Sequence, residues 1–152
     1  LLLCGCPAQF GTVEGPGARG TITLAQGVSS AGYRTLVLRA APDAPQDPAA
    51  PRFPPNHGGG SSEAELALRQ GQVLSLASLS MPYDFALGGD YGTTQTERWR
   101  VFAWLSHGEG GETPQSGEFY GTAAFTLAPC PNAKGFCMAT SGVDIQIDNR
   151  AP

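Results

Sequence analysis

The chain has 152 residues and a formal charge of −4, a length that fits one domain. Only 14% of its residues are charged and Lys134 is its single lysine, so it has no basic face to offer a nucleic-acid backbone. With 21 Gly and 13 Pro, long helices are disfavoured, while 41% hydrophobic residues suffice for one buried core. The composition therefore predicts an all-β domain of strands joined by turns.

The chain opens on Leu1-Leu2-Leu3, and Leu3-Cys4-Gly5-Cys6 resembles the bacterial lipobox: an aliphatic residue, a variable one, a small one, then the lipidated Cys. That resemblance implies secretion, cleavage before Cys6 and a lipid on the Cys6 thiol, with Cys4 as the other candidate thiol. An ordinary first strand carrying a Cys pair is the alternative. On the lipobox reading, residues 1–10 are signal remnant and tether, and residues 11–150 are the folded domain. No stretch approaches the roughly 18 apolar residues of a membrane span. The expectation is a protein anchored to the cell envelope rather than spanning a membrane.

Short strands are predicted at 11–15 and 19–24, the second with Ile22 and Leu24 on one face and Thr21 and Thr23 on the other. Residues 33–40 form a strong strand around Leu36-Val37-Leu38. The insertion at 41–62 holds Pro42, Pro45, Pro48, Pro51, Pro54 and Pro55, which exclude helix and central strand. His57, within it, reads as a solvated loop histidine. A strand is preferred at 62–70, another at 72–79 with Val73, Leu74, Leu76 and Leu79 as core, and an edge or short strand at 81–87.

Residues 98–105 give the clearest strand. Trp99, Val101, Ala103 and Leu105 point one way; Arg100, Phe102 and Trp104 point the other. Two apolar faces predict a central strand with an aromatic covered by a loop. A loop at 106–117, a strand at 119–127 and a last strand at 143–148, burying Val143, Ile145 and Ile147, complete the domain. Seven to nine strands at this spacing predict a β-sandwich. Between the last two strands, Cys130 and Cys137 enclose six residues that include Pro131, Asn132 and Gly135. That spacing suits a disulfide closing a small loop, worth about 2–3 kcal/mol, and it agrees with an oxidising compartment.

The order Pro82-Tyr83-Asp84-Phe85, Gly88-Gly89, Trp99-Arg100-Val101-Phe102-Ala103-Trp104-Leu105, Gly117-Glu118-Phe119-Tyr120-Gly121 and Gly142-Val143-Asp144-Ile145 resembles secreted bacterial β-sandwich modules of the prealbumin-like type (transthyretin-like, carboxypeptidase regulatory-like). The resemblance implies a single Ig-like or prealbumin-like antiparallel sandwich engaged in structural or binding work. In such modules the loop after the Ala-x-Leu strand often holds calcium on alternating Asp and Asn side chains. This chain departs from that pattern at Ser106 and Gly108, leaving Glu109, Glu112 and Glu118 as the calcium alternative. A Gly-rich connector with solvated acidic residues is the other reading of the loop.

No nucleophile elbow, phosphate loop or dinucleotide fingerprint occurs, and neither His57 nor His107 has a catalytic partner by spacing. The sequence therefore predicts a non-enzymatic envelope lipoprotein, without cofactor, that acts as a structural or protein-interaction component, by self-assembly or with a protein partner. The alternative is a module binding carbohydrate or another small ligand through the 106–117 loop. Trp104, His107, Glu109, Glu112, Glu118 and Tyr120 are its candidate contacts.

Overall fold

The computed structural model describes residues 17–47, 49–53, 71–88, 95–110, 113–128 and 139–152. Among these are eight strands: β1 (Gly17–Leu24), β2 (Thr35–Pro42), β3 (Gln72–Ser75), β4 (Tyr83–Gly88), β5 (Glu97–Ser106), β6 (Phe119–Leu127), β7 (Ile145–Ile147) and β8 (Asn149–Arg150). They form two sheets, one of three strands in the order β4-β1-β7 and one of five in the order β3-β2-β5-β6-β8. The chain is an all-β sandwich. The predicted strands at 11–15 and 62–70, the lipobox and all four cysteines lie outside the described residues, as does Glu112.

Neighbouring strands run antiparallel except β1 and β7, which are parallel. The chain then leaves the three-stranded sheet at Ile147 and enters the five-stranded one at Asn149. The Asp148 N–H donates to the Tyr120 carbonyl at this crossing, tying the two sheets at one corner. Here the sheets approach so closely that a Cβ on Gly121 would collide with the Gln146 carbonyl. Within the three-stranded sheet, a Cβ on Gly20 would likewise collide with the Val143 carbonyl.

Strand alternation decides the core. Ala18 and Ile22 of β1, Leu36, Leu38 and Ala40 of β2, Phe85 and Leu87 of β4, and Ile145 and Ile147 of β7 all face the space between the sheets. Trp99, Val101, Ala103 and Leu105 of β5, which lies beside β2 in the five-stranded sheet, face the same space. A strand pleat sends the intervening β5 residues to the opposite face. There Phe102 and Trp104 join Val37, Tyr120 and Ala151 in a second buried cluster. β5 is thus covered on both faces, as its two-sided apolar pattern predicts.

The cover comes from the Pro-rich insertion. Phe53 lies over the second cluster, with its ring 5.7 Å from Phe102, 6.3 Å from Trp104 and 5.0 Å from Tyr120. The strap leading to it is fixed at its start by Asp43, which accepts from Arg98 Nε at 2.9 Å and from Arg100 Nε at 2.8 Å. Burial disfavours the charge on Asp43, but the hydrogen bonds from Arg100 and Arg98 and their positive charge outweigh it. The net effect is to hold the carboxyl below its usual range. Further along the strap, the Gln46 side chain accepts from the Arg52 N–H, and Asp47 accepts from the Ala49 N–H.

Three predicted elements differ. β2 runs on through Ala41 and Pro42, the first residues of the predicted insertion, which still pair with β5 beyond the end of β3. The predicted last strand at 143–148 is shorter, Ile145–Ile147, with Asn149–Arg150 pairing in the other sheet. The 72–79 segment is a four-residue strand followed by a 3-10 turn, Leu76–Ser78. Leu74, Leu76 and Leu79 pack against the core, but Val73 is 47% exposed. The pleat cannot send Val73 and Leu74 to the same face. β3 is also the last described strand of its sheet, so Val73 sits at a margin beside Val37.

Candidate functional site

The loop between β5 and β6 starts where the Ser106 hydroxyl accepts from the Gly108 N–H at 3.2 Å. The Thr35 hydroxyl of β2 donates to the Gly108 carbonyl at 3.0 Å, and the Arg34 N–H donates to the Ser106 carbonyl at 2.8 Å. Gly110, at φ +89°, lies over Val73 and Val37; a side chain there would crowd both and strain the backbone. The first half of the loop is therefore bent back onto the margin of the five-stranded sheet.

Glu118 closes the second half. Glu118 is 1% exposed. Oε1 accepts from the His107 N–H at 2.9 Å, and Oε2 accepts from the Gln115 N–H at 2.8 Å. His107 Nδ1 lies 3.3 Å from the same Oε1, making an ion pair when the imidazole is protonated. The Glu118 backbone is bonded too: its N–H donates to the Gln115 carbonyl and its carbonyl accepts from the Ala151 N–H. One buried carboxylate thus ties together both ends of the loop, satisfying two backbone donors that would otherwise be costly to bury.

Aromatic packing finishes the end of the sandwich. The His107 ring stacks on Tyr33 with centroids 4.2 Å apart, and Tyr33 meets Phe119 edge-on at 6.3 Å. On Phe119 sits the Arg150 guanidinium, 4.5 Å from the ring centroid. His107 itself keeps 57% of its side chain in solvent.

Five of the six candidate contacts lie among the described residues and separate into three groups. His107 and Glu109 are exposed on the loop. Glu118 is internal and bonded to backbone. Trp104 and Tyr120 are 0% and 4% exposed and face the cluster under Phe53 rather than the loop. Burial, and then the negative charge of Asp148, push the Tyr120 hydroxyl above its usual pKa. The Trp104 indole N–H is buried with no hydrogen-bond partner among the described residues, and the Arg39 guanidinium lies 5.2 Å from its ring. Glu112 lies outside the described residues.

For the calcium alternative, Glu118 has both oxygens committed to the loop backbone, which leaves Glu109 as the exposed carboxylate of the described part. Among the described residues, no three His, Cys, Asp or Glu side chains cluster as metal ligands would. Also among them, no helix is long and apolar enough to cross a membrane. The role of Glu118 was the one missed by sequence reasoning. Its position just after Gly117, a turn glycine at φ +84°, is the local sign that a carboxylate there can turn back onto the loop. Comparison with known proteins leaves the fold and this loop to speak for themselves: no family model, no curated protein and no solved structure matches the chain.

Proposed function

We propose that the chain is a non-enzymatic, prealbumin-like module of a cell-envelope assembly, held at the membrane by a lipid on Cys6 and working as a structural or protein-interaction component. The observation that carries this reading is the state of the 106–118 loop. The Ser106 and Glu118 side chains are spent on bonding the loop to itself. What the described parts of the loop present to solvent is a surface bearing His107, Glu109, Thr113, Gln115 and Ser116, fastened through the backbone of His107 and Gln115. Loop ends fastened before contact spend little entropy on ordering when they dock, which suits recognition of a protein partner. The double cover of β5 supports the same role, because a strand packed on both faces makes a stiff base for that surface.

The test is a photo-cross-linking amino acid placed at Glu109 in cells that make the protein, combined with intact mass of the chain recovered from membranes. The reading expects a discrete adduct with one protein and a mass that begins at an acylated Cys6. A chain that is unacylated and gives no adduct, from Glu109 or from a second probe at Gln115, would overturn it.

A further inference from the structure

The strap at 43–53, described except at residue 48, is held against the outer face of the five-stranded sheet at its two ends. At the first end the Asp43 N–H donates to the Arg98 carbonyl at 2.9 Å, and the Asp43 carboxylate takes both Arg98 and Arg100. At the other end Phe53 packs on the second buried cluster. Between these points the strap bonds to itself. Gln46 Nε2 donates to the Ala44 carbonyl at 3.2 Å, and Gln46 Oε1 accepts from the Arg52 N–H at 3.1 Å. The Ala50 N–H donates to the Asp47 carbonyl at 3.0 Å, and the Ala49 N–H to Asp47 Oδ1 at 2.9 Å. Among the described residues, no hydrogen bond from residues 44–53 reaches the sheet. This piece can therefore leave the sheet with its own folding-back intact.

What lies under the ring gives it a reason to leave. Trp104 is fully buried, and its indole N–H has no hydrogen-bond partner. The other indole of β5 is satisfied: Trp99 Nε1 donates to Glu97 Oε2 at 2.9 Å. A donor buried without a partner is destabilised relative to the same donor in water. The closed strap imposes that penalty on Trp104, and water relieves it once the ring lifts. The sheet does not depend on the strap for its ladder, since the pairing of β5 with β2 and β6 uses no residue from 43 to 53. Lifting gives up the contacts of one half-buried ring, whereas global unfolding gives up both clusters.

We infer that the strap is a lid: it lifts as one piece from its anchor at Asp43 while the sandwich stays folded, and lifting bares the face made by Val37, Phe102, Trp104 and Tyr120. That face adjoins the 106–118 loop, because Gly110 lies over Val37 and Ala151 bonds to Gly117 and Glu118. The opening itself is read at Trp104 and needs no partner, so it stands or falls independently of the protein-interaction reading.

The test is hydrogen exchange at the Trp104 indole N–H, followed by NMR on the full chain in zero to low urea beside the Val101 and Ala103 amides in the middle of β5. The indole should be protected at least about tenfold less than those amides, because a local opening takes less free energy than global unfolding. Its protection should also stay nearly flat with urea, because one lifted ring exposes little surface. Phe53→Leu keeps an apolar cover but a smaller one, and should speed exchange of the indole about fivefold. Equal protection of the indole and the two amides, falling together as urea rises, would overturn the inference. An indole exchanging as fast as free tryptophan would overturn it too, since the strap would then not be closed. So would a rate unchanged by Phe53→Leu, since Phe53 would then not gate the opening.

Discussion

Replacing Phe53 with alanine removes the ring that covers the outer face of the five-stranded sheet. Phe53 is half-buried and touches Phe102, Trp104 and Tyr120. A fully buried Phe→Ala change costs about 3–5 kcal/mol, so half burial alone gives about 2. The edge-on contacts with Phe102 and Tyr120 add about 1 kcal/mol beyond area. Phe53→Ala should therefore destabilise the domain by about 2–3 kcal/mol, a melting shift of roughly 5–10 °C for a chain of this size. Phe53→Leu, which keeps most of the apolar cover, should cost about 1 kcal/mol. Urea unfolding gives the free energies, and tryptophan emission gives the local consequence. Trp104 is 0% exposed beneath the cover, so native emission should move to longer wavelength in the alanine variant. A loss under about 0.5 kcal/mol, the range of ordinary surface substitutions, with unmoved emission would refute the claim that the strap completes a second core.

Three further outcomes follow from the same structure. Glu118→Ala strips the acceptors from two backbone N–H groups and should cost about 3–5 kcal/mol, whereas Glu118→Gln, which keeps one acceptor oxygen, should cost about 1–2, both read by urea unfolding. Asp43→Asn should lower stability by about 1 kcal/mol at neutral pH, because exposed Arg98 is screened by solvent. Since the folded carboxyl titrates below its unfolded value of 3.8, that contribution is complete above this value and disappears as pH falls through the lowered one. Melting curves of the two proteins should converge in acid, and a gap that persists there would contradict the assignment. Gly20→Ala places a Cβ into the Val143 carbonyl and should cost about 3 kcal/mol or more, since backbone on both sides must shift; an unchanged melting temperature would contradict the close approach of β1 to Val143.

Much of the fold was legible in local pattern. The alternation of Trp99, Val101, Ala103 and Leu105 against Phe102 and Trp104 specifies a strand covered on both faces, and the covering ring arrives from the insertion. β6 was legible end to end, because its small and aromatic residues lie between turn signals. Pairing between distant segments was not legible. The parallel partnership of β1 with β7 joins positions over a hundred residues apart, and the bond from the Thr21 N–H to Asp144 exists only within that pairing. Val73 misled because an alternating run cannot say which of its faces meets the core until the neighbours are known. Glu118 misled for a related reason. A loop carboxylate has the same chemistry whether it faces solvent or two backbone N–H groups, and only the folded turn decides which.

The account depends most on the 106–118 loop being fastened from within by Glu118. Hydrogen exchange at the His107 and Gln115 amides of the full chain addresses that directly. Both donate to the buried carboxylate, at 2.9 and 2.8 Å, and should be protected to nearly the extent of the β5 and β6 amides, despite lying on an exposed loop. Rapid exchange at both positions while β5 and β6 stay protected would contradict the fastening, and with it the rigid surface on which the proposed function rests.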